Sequence, residues 1–229
     1  MQTPSLDSPP RPSRPRAVLG AAWILALCSV LLLTLVAAEW RPLLAVDGDI
    51  ARTTHRWAVE ETGVTRSFRV LTDWVWDPWT MRLLCAGVVL WLGLRRGDWW
   101  TAVWLAATLA VAALVQQALK AAVGRARPVW PDPVDTAHYA AFPSGHAMTA
   151  TVACGLLLWL VRRHGAEGAA LLAALTVAAV SVAGVGVTRV WLGVHWTTDV
   201  VAGWLLGALT VCVAVTVHRR GRGVTWPSD

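Results

Sequence analysis

The sequence predicts an all-α, polytopic membrane protein of six transmembrane helices, with an extracytoplasmic interfacial segment after the first helix. Three observations carry this reading. Hydrophobic residues make up 56% of the 229-residue chain and charged residues 15%, whereas soluble domains carry roughly 25% charge. The mean hydropathy is +0.52, and the apolar residues come in blocks close to membrane-spanning length. Arginines gather in short segments between those blocks, the pattern of loops at a membrane surface. Length alone would allow one domain or two. The succession of blocks makes residues 17–217 one helical bundle.

Residues 1–16 are rich in Pro, Ser and Arg and read as a disordered cytoplasmic tail. Residues 17–38 form an apolar run of about 33 Å as a helix, enough to cross a bilayer. A cleaved signal peptide ending near Val36-Ala37-Ala38 is the competing reading, but the run is longer than a signal core and favours an uncleaved first span. Residues 39–78 interrupt the pattern with seven acids and five arginines, interleaved with Trp57, Trp74 and Trp76. Such a mixture predicts helices lying at the interface or capping the bundle.

The second span runs from Trp79 to Leu94, with Arg82 near enough to one end to snorkel. The third runs from Trp99 to Leu119. A Pro-containing loop over 128–142 precedes a fourth span from Gly145 to Val161. The fifth covers 169–187 and the sixth 197–217, where Gly203 and Gly207 have the spacing of close helix packing. A cytoplasmic tail, 218–229, completes the chain.

Alternation of six spans places the N-terminal tail, the 95–98 loop, the 162–168 loop and the C-terminal tail on one side. These segments hold Arg11, Arg14, Arg16, Arg95, Arg96, Arg162, Arg163, Arg219, Arg220 and Arg222, so that side is cytoplasmic and both termini lie there. The 120–146 and 188–199 regions then share the extracytoplasmic side of a cell membrane. The net charge of +6 comes mostly from these loop clusters and is no nucleic-acid footprint. Cys28, Cys85, Cys154 and Cys212 each lie inside an apolar block, without metal-ligand spacing, and read as small buried helix residues. The absence of Asn, with abundant Ala, Val, Arg and Trp, suggests a GC-rich and hence bacterial genome. Oligomeric state is not legible, and nothing in 39–78 identifies a partner.

Three polar clusters stand out against this apolar background. The first is Lys120-x6-Arg127-Pro128, holding the only lysine of the chain. Seven residues are nearly two helical turns, so the phase puts Lys120 and Arg127 on one face, turns Arg125 away, and lets Pro128 stop the helix. Interfacial snorkelling would explain two such basic residues equally well. The second is Pro143-Ser144-Gly145-His146. Ser144 suits a helix N-cap, the helix start offers N–H groups to an anion, and Gly145 permits close backbone approach. His146 then stands beside that anion.

The third cluster is Arg189-x5-His195-x3-Asp199. His195 and Asp199, four apart, face each other if the sixth helix starts near Trp196. A carboxylate on one imidazole nitrogen fixes the tautomer and makes the other nitrogen a better nucleophile. Arg189 suits phosphate oxygens. An Asp at the start of an apolar span is costly enough to want a use.

In order and spacing these clusters resemble the type 2 phosphatidic acid phosphatase family, which also includes bacterial polyprenyl-diphosphate phosphatases and vanadate-dependent haloperoxidases. The family pattern is Lys-x6-Arg-Pro, Pro-Ser-Gly-His, and Ser-Arg-x5-His-x3-Asp. One position departs: Thr188 stands where the family has Ser, and keeps a hydroxyl. The resemblance implies a six-helix membrane fold and a metal-independent lipid phosphatase without a cofactor. It assigns His195 as nucleophile, Asp199 as its orienter and His146 as acid and then base. Lys120, Arg127, Ser144, Gly145 and Arg189 become phosphate ligands. Asp132 and Asp135 in the adjacent loop are read as plain loop acids and not as metal ligands. The expected substrate is a lipid phosphate or diphosphate in the bilayer, with undecaprenyl diphosphate leading and phosphatidic acid or phosphatidylglycerol phosphate as rivals. A non-catalytic lipid-phosphate binder or transporter is the alternative of another class, and a haloperoxidase is disfavoured by the spans.

Overall fold

A computed structural model describes residues 14–221, with side chains from Val18 onward. Among these residues there are eight α-helices, one π-helical turn and no strand. The expected tails at 1–16 and 218–229 fall largely outside the described residues, although α1 already begins at Arg14 and the last helix continues to Gly221.

Helix α1 (Arg14–Ala37) is apolar all round and presents Trp23, Ile24, Leu27, Val30 and Leu31 outward, as a lipid-facing helix does. Helix α2 (Arg41–Glu60) is amphipathic, starts with Pro42 in its first turn, and buries Asp47, Ala51, His55 and Ala58 at helical spacing. Two of those four buried residues are ionisable, an expense that asks for partners. Helix α3 (Thr62–Val70) continues into a π-helical turn, Leu71–Val75. Asp77 then caps α4 (Pro78–Arg96), accepting from the N–H groups of Trp79 at 2.7 Å and Thr80 at 3.2 Å.

Asp98 caps α5 (Trp99–Val123) through the Thr101 N–H at 3.2 Å. Gly124 ends α5 in the left-handed conformation, with φ of 60°, where a glycine is least strained. Helices α6 (Gly145–Arg163), α7 (Gly168–Trp191) and α8 (Thr197–Gly221) follow. Helix α6 is the centre of the bundle, packed on α8, α7, α4 and α5, while α1 lies along α8. The Gly203–Gly207 spacing is used there. A Cβ on Gly203 would lie 2.8 Å from the Ser144 carbonyl oxygen, and one on Gly207 2.7 Å from the Thr151 Cβ. Glycine therefore sets the α6–α8 separation.

Among the described residues, five helices are long and apolar enough to cross a membrane: α1, α5, α6, α7 and α8. The remaining expected span, the second, is α4, which is as long as α6 at 19 residues. Its apolar run is shortened by Arg82 near one end and Arg95-Arg96 at the other. The 39–78 segment is helical and caps one end of the bundle. Trp191 Nε1 on α7 donates to Thr65 Oγ1 of α3 at 2.9 Å, and the Thr198 N–H at the start of α8 donates to Asp47 of α2 at 3.0 Å. All four cysteines are free, but only Cys85 is fully buried and Cys28 is exposed on α1.

Candidate active site

The end of α5, the start of α6, the end of α7 and the start of α8 meet at one end of the bundle, beneath α2 and α3. The three sequence clusters occupy those four helix ends and the loops between them. Arg95, Arg96, Arg162, Arg163, Arg219 and Arg220 lie at the opposite end, where Arg163 pairs with Asp98 at 3.1 Å.

The helix-phase expectation for the first cluster does not hold. Helix α5 stops at Gly124, three residues before Arg127 and four before Pro128, so Arg127 reaches the site from a loop. Its Nε donates to the Tyr139 carbonyl at 2.5 Å, and its Nη1 donates to the Val194 carbonyl at 2.5 Å and faces His195 Nε2 at 3.1 Å. Lys120, buried in the last turn of α5, donates through Nζ to the Ala140 carbonyl.

Arg125, which phase turned away, enters the site at its base. Its Nη1 donates to Asp199 Oδ1 at 2.6 Å and to Thr198 Oγ1 at 2.7 Å, and its Nη2 to Asp47 Oδ2 at 2.8 Å. Sequence reasoning missed Arg125, Asp47 and Thr198. Gly124 was the available signal, because a glycine after an apolar helical run ends the helix and frees Arg125 from its phase.

Ser144 is the N-cap of α6, as its sequence position implies. Its hydroxyl accepts from the Ala147 N–H at 3.5 Å and its own N–H donates to the Asp199 carbonyl at 2.9 Å. Gly145 is hemmed in from the side: a Cβ there would lie 2.7 Å from Gln116 Nε2. His146, half-buried in the first turn, lies within electrostatic reach of Arg189, His195, Arg127 and Lys120.

The third cluster folds as its spacing implies. Helix α8 starts at Thr197, and the Asp199 carboxylate reaches back to accept the Trp196 N–H at 2.9 Å, half of a capping box. The same oxygen, Oδ2, lies 3.3 Å from His195 Nδ1. His195 and Asp199 are 1% and 0% exposed. Burial, followed by Arg127, Arg189 and Lys120, holds the His195 imidazole well below its usual range, so it is neutral at pH 7. With Nδ1 donating to Asp199, the Nε2 lone pair faces Arg127 Nη1. Burial and the neighbouring Arg189 also draw Arg127 down to about 10, which leaves it charged at neutral pH.

Arg189 is buried at the end of α7. Its Nη1 donates to Thr72 Oγ1 in the π-helical turn at 3.5 Å and lies 3.7 Å from Asp135, while its Nε has no partner. Of the two loop acids, Asp135 thus sits against Arg189 and Asp132 against His55 Nε2 at 3.0 Å. Thr188, at the variant position, turns its hydroxyl back to the Val185 carbonyl at 2.9 Å. The arrangement brings a neutral, carboxylate-oriented imidazole and a second histidine together with three cations. That chemistry suits a nucleophilic attack on an anionic, oxygen-rich centre.

The fold has a solved counterpart. A transmembrane PAP2-type phosphatidylglycerolphosphate phosphatase from Bacillus subtilis matches with a TM-score of 0.75 and 21% identity, over 87% of this chain and 96% of that one. At that identity the likeness concerns the fold. Among curated proteins, none matches significantly by sequence. The sequence profile of the PAP2 superfamily matches residues 101–222, just over half of the chain, from the start of α5 to the end of α8 and across all three clusters; the protein belongs to the PAP2 superfamily.

Proposed function

We propose that this protein is an integral membrane phosphatase that releases the terminal phosphate of a lipid phosphate or diphosphate through a phosphohistidine on His195. The observation that carries the reading is the His195–Asp199 pair at 3.3 Å with Nε2 turned toward Arg127. Lys120, Arg127 and Arg189 bind the phosphoryl oxygens, with the Ser144 hydroxyl and the Gly145 N–H at the start of α6. Phosphate draws the Arg127 guanidinium off Nε2 and frees the lone pair. Nε2 then attacks phosphorus as the bond to the lipid oxygen breaks. His146 takes up a proton once the bound anion offsets the surrounding cations, and gives it to the leaving oxygen. It next takes a proton from water, whose oxygen attacks phosphorus and restores His195. No metal enters this scheme, because the three cations carry the charge stabilisation.

Three cations match a head group of about three negative charges. A polyprenyl diphosphate such as undecaprenyl diphosphate fits and leads; phosphatidylglycerol phosphate, the substrate named for the structural counterpart, carries the same charge, and phosphatidic acid carries less. Helix α4 is assigned as the sixth crossing. The arginine clusters at the end of the bundle opposite the site support reading that end as cytoplasmic and the site as extracytoplasmic, with both termini inside the cell.

The test is phosphate release by purified protein in detergent from all three lipids side by side. His195→Asn should lower kcat by at least about 1,000-fold and Asp199→Asn by about 100- to 10,000-fold, both with near-wild-type melting. Activity should persist in excess EDTA. A fully active His195→Asn protein would overturn the mechanism, and loss of activity to EDTA would overturn the metal-free scheme.

A further inference from the structure

We propose that Asp47 and Arg125 are positioning residues for this reaction, and that α2 serves as the part that anchors them. The inference rests on the phosphatase reading of His195 and Asp199. Asp199 has two carboxylate oxygens with separate duties. Oδ2 accepts the Trp196 N–H and faces His195 Nδ1 at 3.3 Å, while Oδ1 is held by Arg125 Nη1 at 2.6 Å. With Oδ1 fixed, the carboxylate plane cannot turn, and Oδ2 stays aimed at the imidazole.

Arg125 is itself held from the other side. Its Nη2 donates to Asp47 Oδ2 at 2.8 Å, and its ring neighbour Trp196 lies beneath the guanidinium at 5.5 Å. Asp47 is 1% exposed, and its remaining capacity is filled by the Thr198 N–H at 3.0 Å and the Thr198 hydroxyl. Thr198 precedes Asp199 on the same turn, so α2 grips the start of α8 through both backbone and side chain.

The charge count points the same way. Two buried carboxylates share one guanidinium, so Arg125 is fully engaged below the imidazole and is not a fourth cation for phosphate. It is set apart from Arg127, which meets His195 at Nε2, on the ring nitrogen away from Asp199, and from Lys120 and Arg189, which with Arg127 act on the imidazole's charge. A buried carboxylate left without its partner is strongly disfavoured. Partners of this outer kind typically affect activity about 10- to 100-fold when removed. Helix α2 buries Asp47 because that carboxylate holds Arg125 and the start of α8 in place.

The experiment compares kcat, KM and inhibition by inorganic phosphate for full-length wild type, Asp47→Asn, Arg125→Gln, Arg125→Lys and Asp199→Asn, with phosphatidylglycerol phosphate and undecaprenyl diphosphate in detergent. Asp47→Asn and Arg125→Gln should each lose about 10- to 100-fold in kcat. KM and the phosphate inhibition constant should stay within about two-fold, because the phosphate cations are intact. Arg125→Lys should recover part of the loss. Asp47→Asn combined with Asp199→Asn should be no slower than Asp199→Asn alone. Wild-type kcat in Asp47→Asn and Arg125→Gln would overturn the inference, as would losses that fall equally on phosphate inhibition and melting. Wild type that releases no phosphate from either lipid would overturn the phosphatase reading and this inference with it. An active wild type beside Asp47→Asn and Arg125→Gln proteins with wild-type kcat overturns this inference alone.

Discussion

At the scale of single residues, His195 is the group whose environment is most demanding. It is buried against three cations and one carboxylate, and its imidazole is held neutral. A folded-state value below the unfolded one, near 6.5, means that the unfolded chain takes up a proton the folded chain refuses. Stability from this residue is complete above about pH 6.5 and is lost below it, at up to about 1.4 kcal/mol per pH unit. Thermal unfolding in detergent should therefore show melting falling from pH 7 to pH 5, and His195→Asn should flatten that fall; identical slopes would count against the buried neutral imidazole. The His195–Asp199 pair was legible because four residues across a helix start bring two side chains together whatever the rest of the fold does. Arg125 was not legible, because its exclusion assumed a helix running past Gly124. Asp47 could not be paired from sequence at all, since its partner Arg125 lies 78 positions away and only the packing of α2 on α8 joins them.

Among the elements, α6 and α8 carry the site and are also the most closely packed pair. The sequence spacing of Gly203 and Gly207 foretold a close approach, and the structure shows what it serves. The contact of Gly203 is the Ser144 carbonyl and the first turn of α6, the same turn that holds His146. Gly203→Val and Gly207→Val should each cost about 1–3 kcal/mol by overpacking, measured by denaturant unfolding in detergent, and Gly203→Val should also lower activity by displacing that turn. Gly87 on α4 has nothing within 4 Å of an added Cβ, so Gly87→Ala should stay within about 0.5 kcal/mol of wild type. Equal costs at Gly87 and Gly203 would refute the packing account. The mixed charge and interleaved tryptophans of 39–78 predicted helices lying at the interface or capping the bundle, but not their purpose. Polar residues on a buried face read as ordinary until their partners from other helices are known.

Across the whole molecule, the alternation of apolar blocks was the most legible feature, and it yielded the helices of the bundle to within a turn or two. Alternation also brought three distant clusters to one end before any contact was known, while the short-loop arginines Arg95, Arg96, Arg162 and Arg163 lie at the other. The span count was less legible, because α4 mixes apolar length with Arg82, Arg95 and Arg96 and composition alone does not separate a crossing from a long interfacial helix. On the proposed reading, the helix ends and loops at that end of the bundle hold the phosphate ligands near a bilayer surface, where a lipid head group reaches them while its tail stays in the membrane. The central claim is that chemistry passes through His195. Rapid acid-free quenching during turnover of a phosphate-labelled lipid, followed by mass spectrometry of the peptides, tests it most directly. The account predicts a base-stable, acid-labile phosphate on His195, absent in His195→Asn and more abundant in His146→Ala; label on another residue, or turnover with no phosphoprotein in any of these variants, would contradict it.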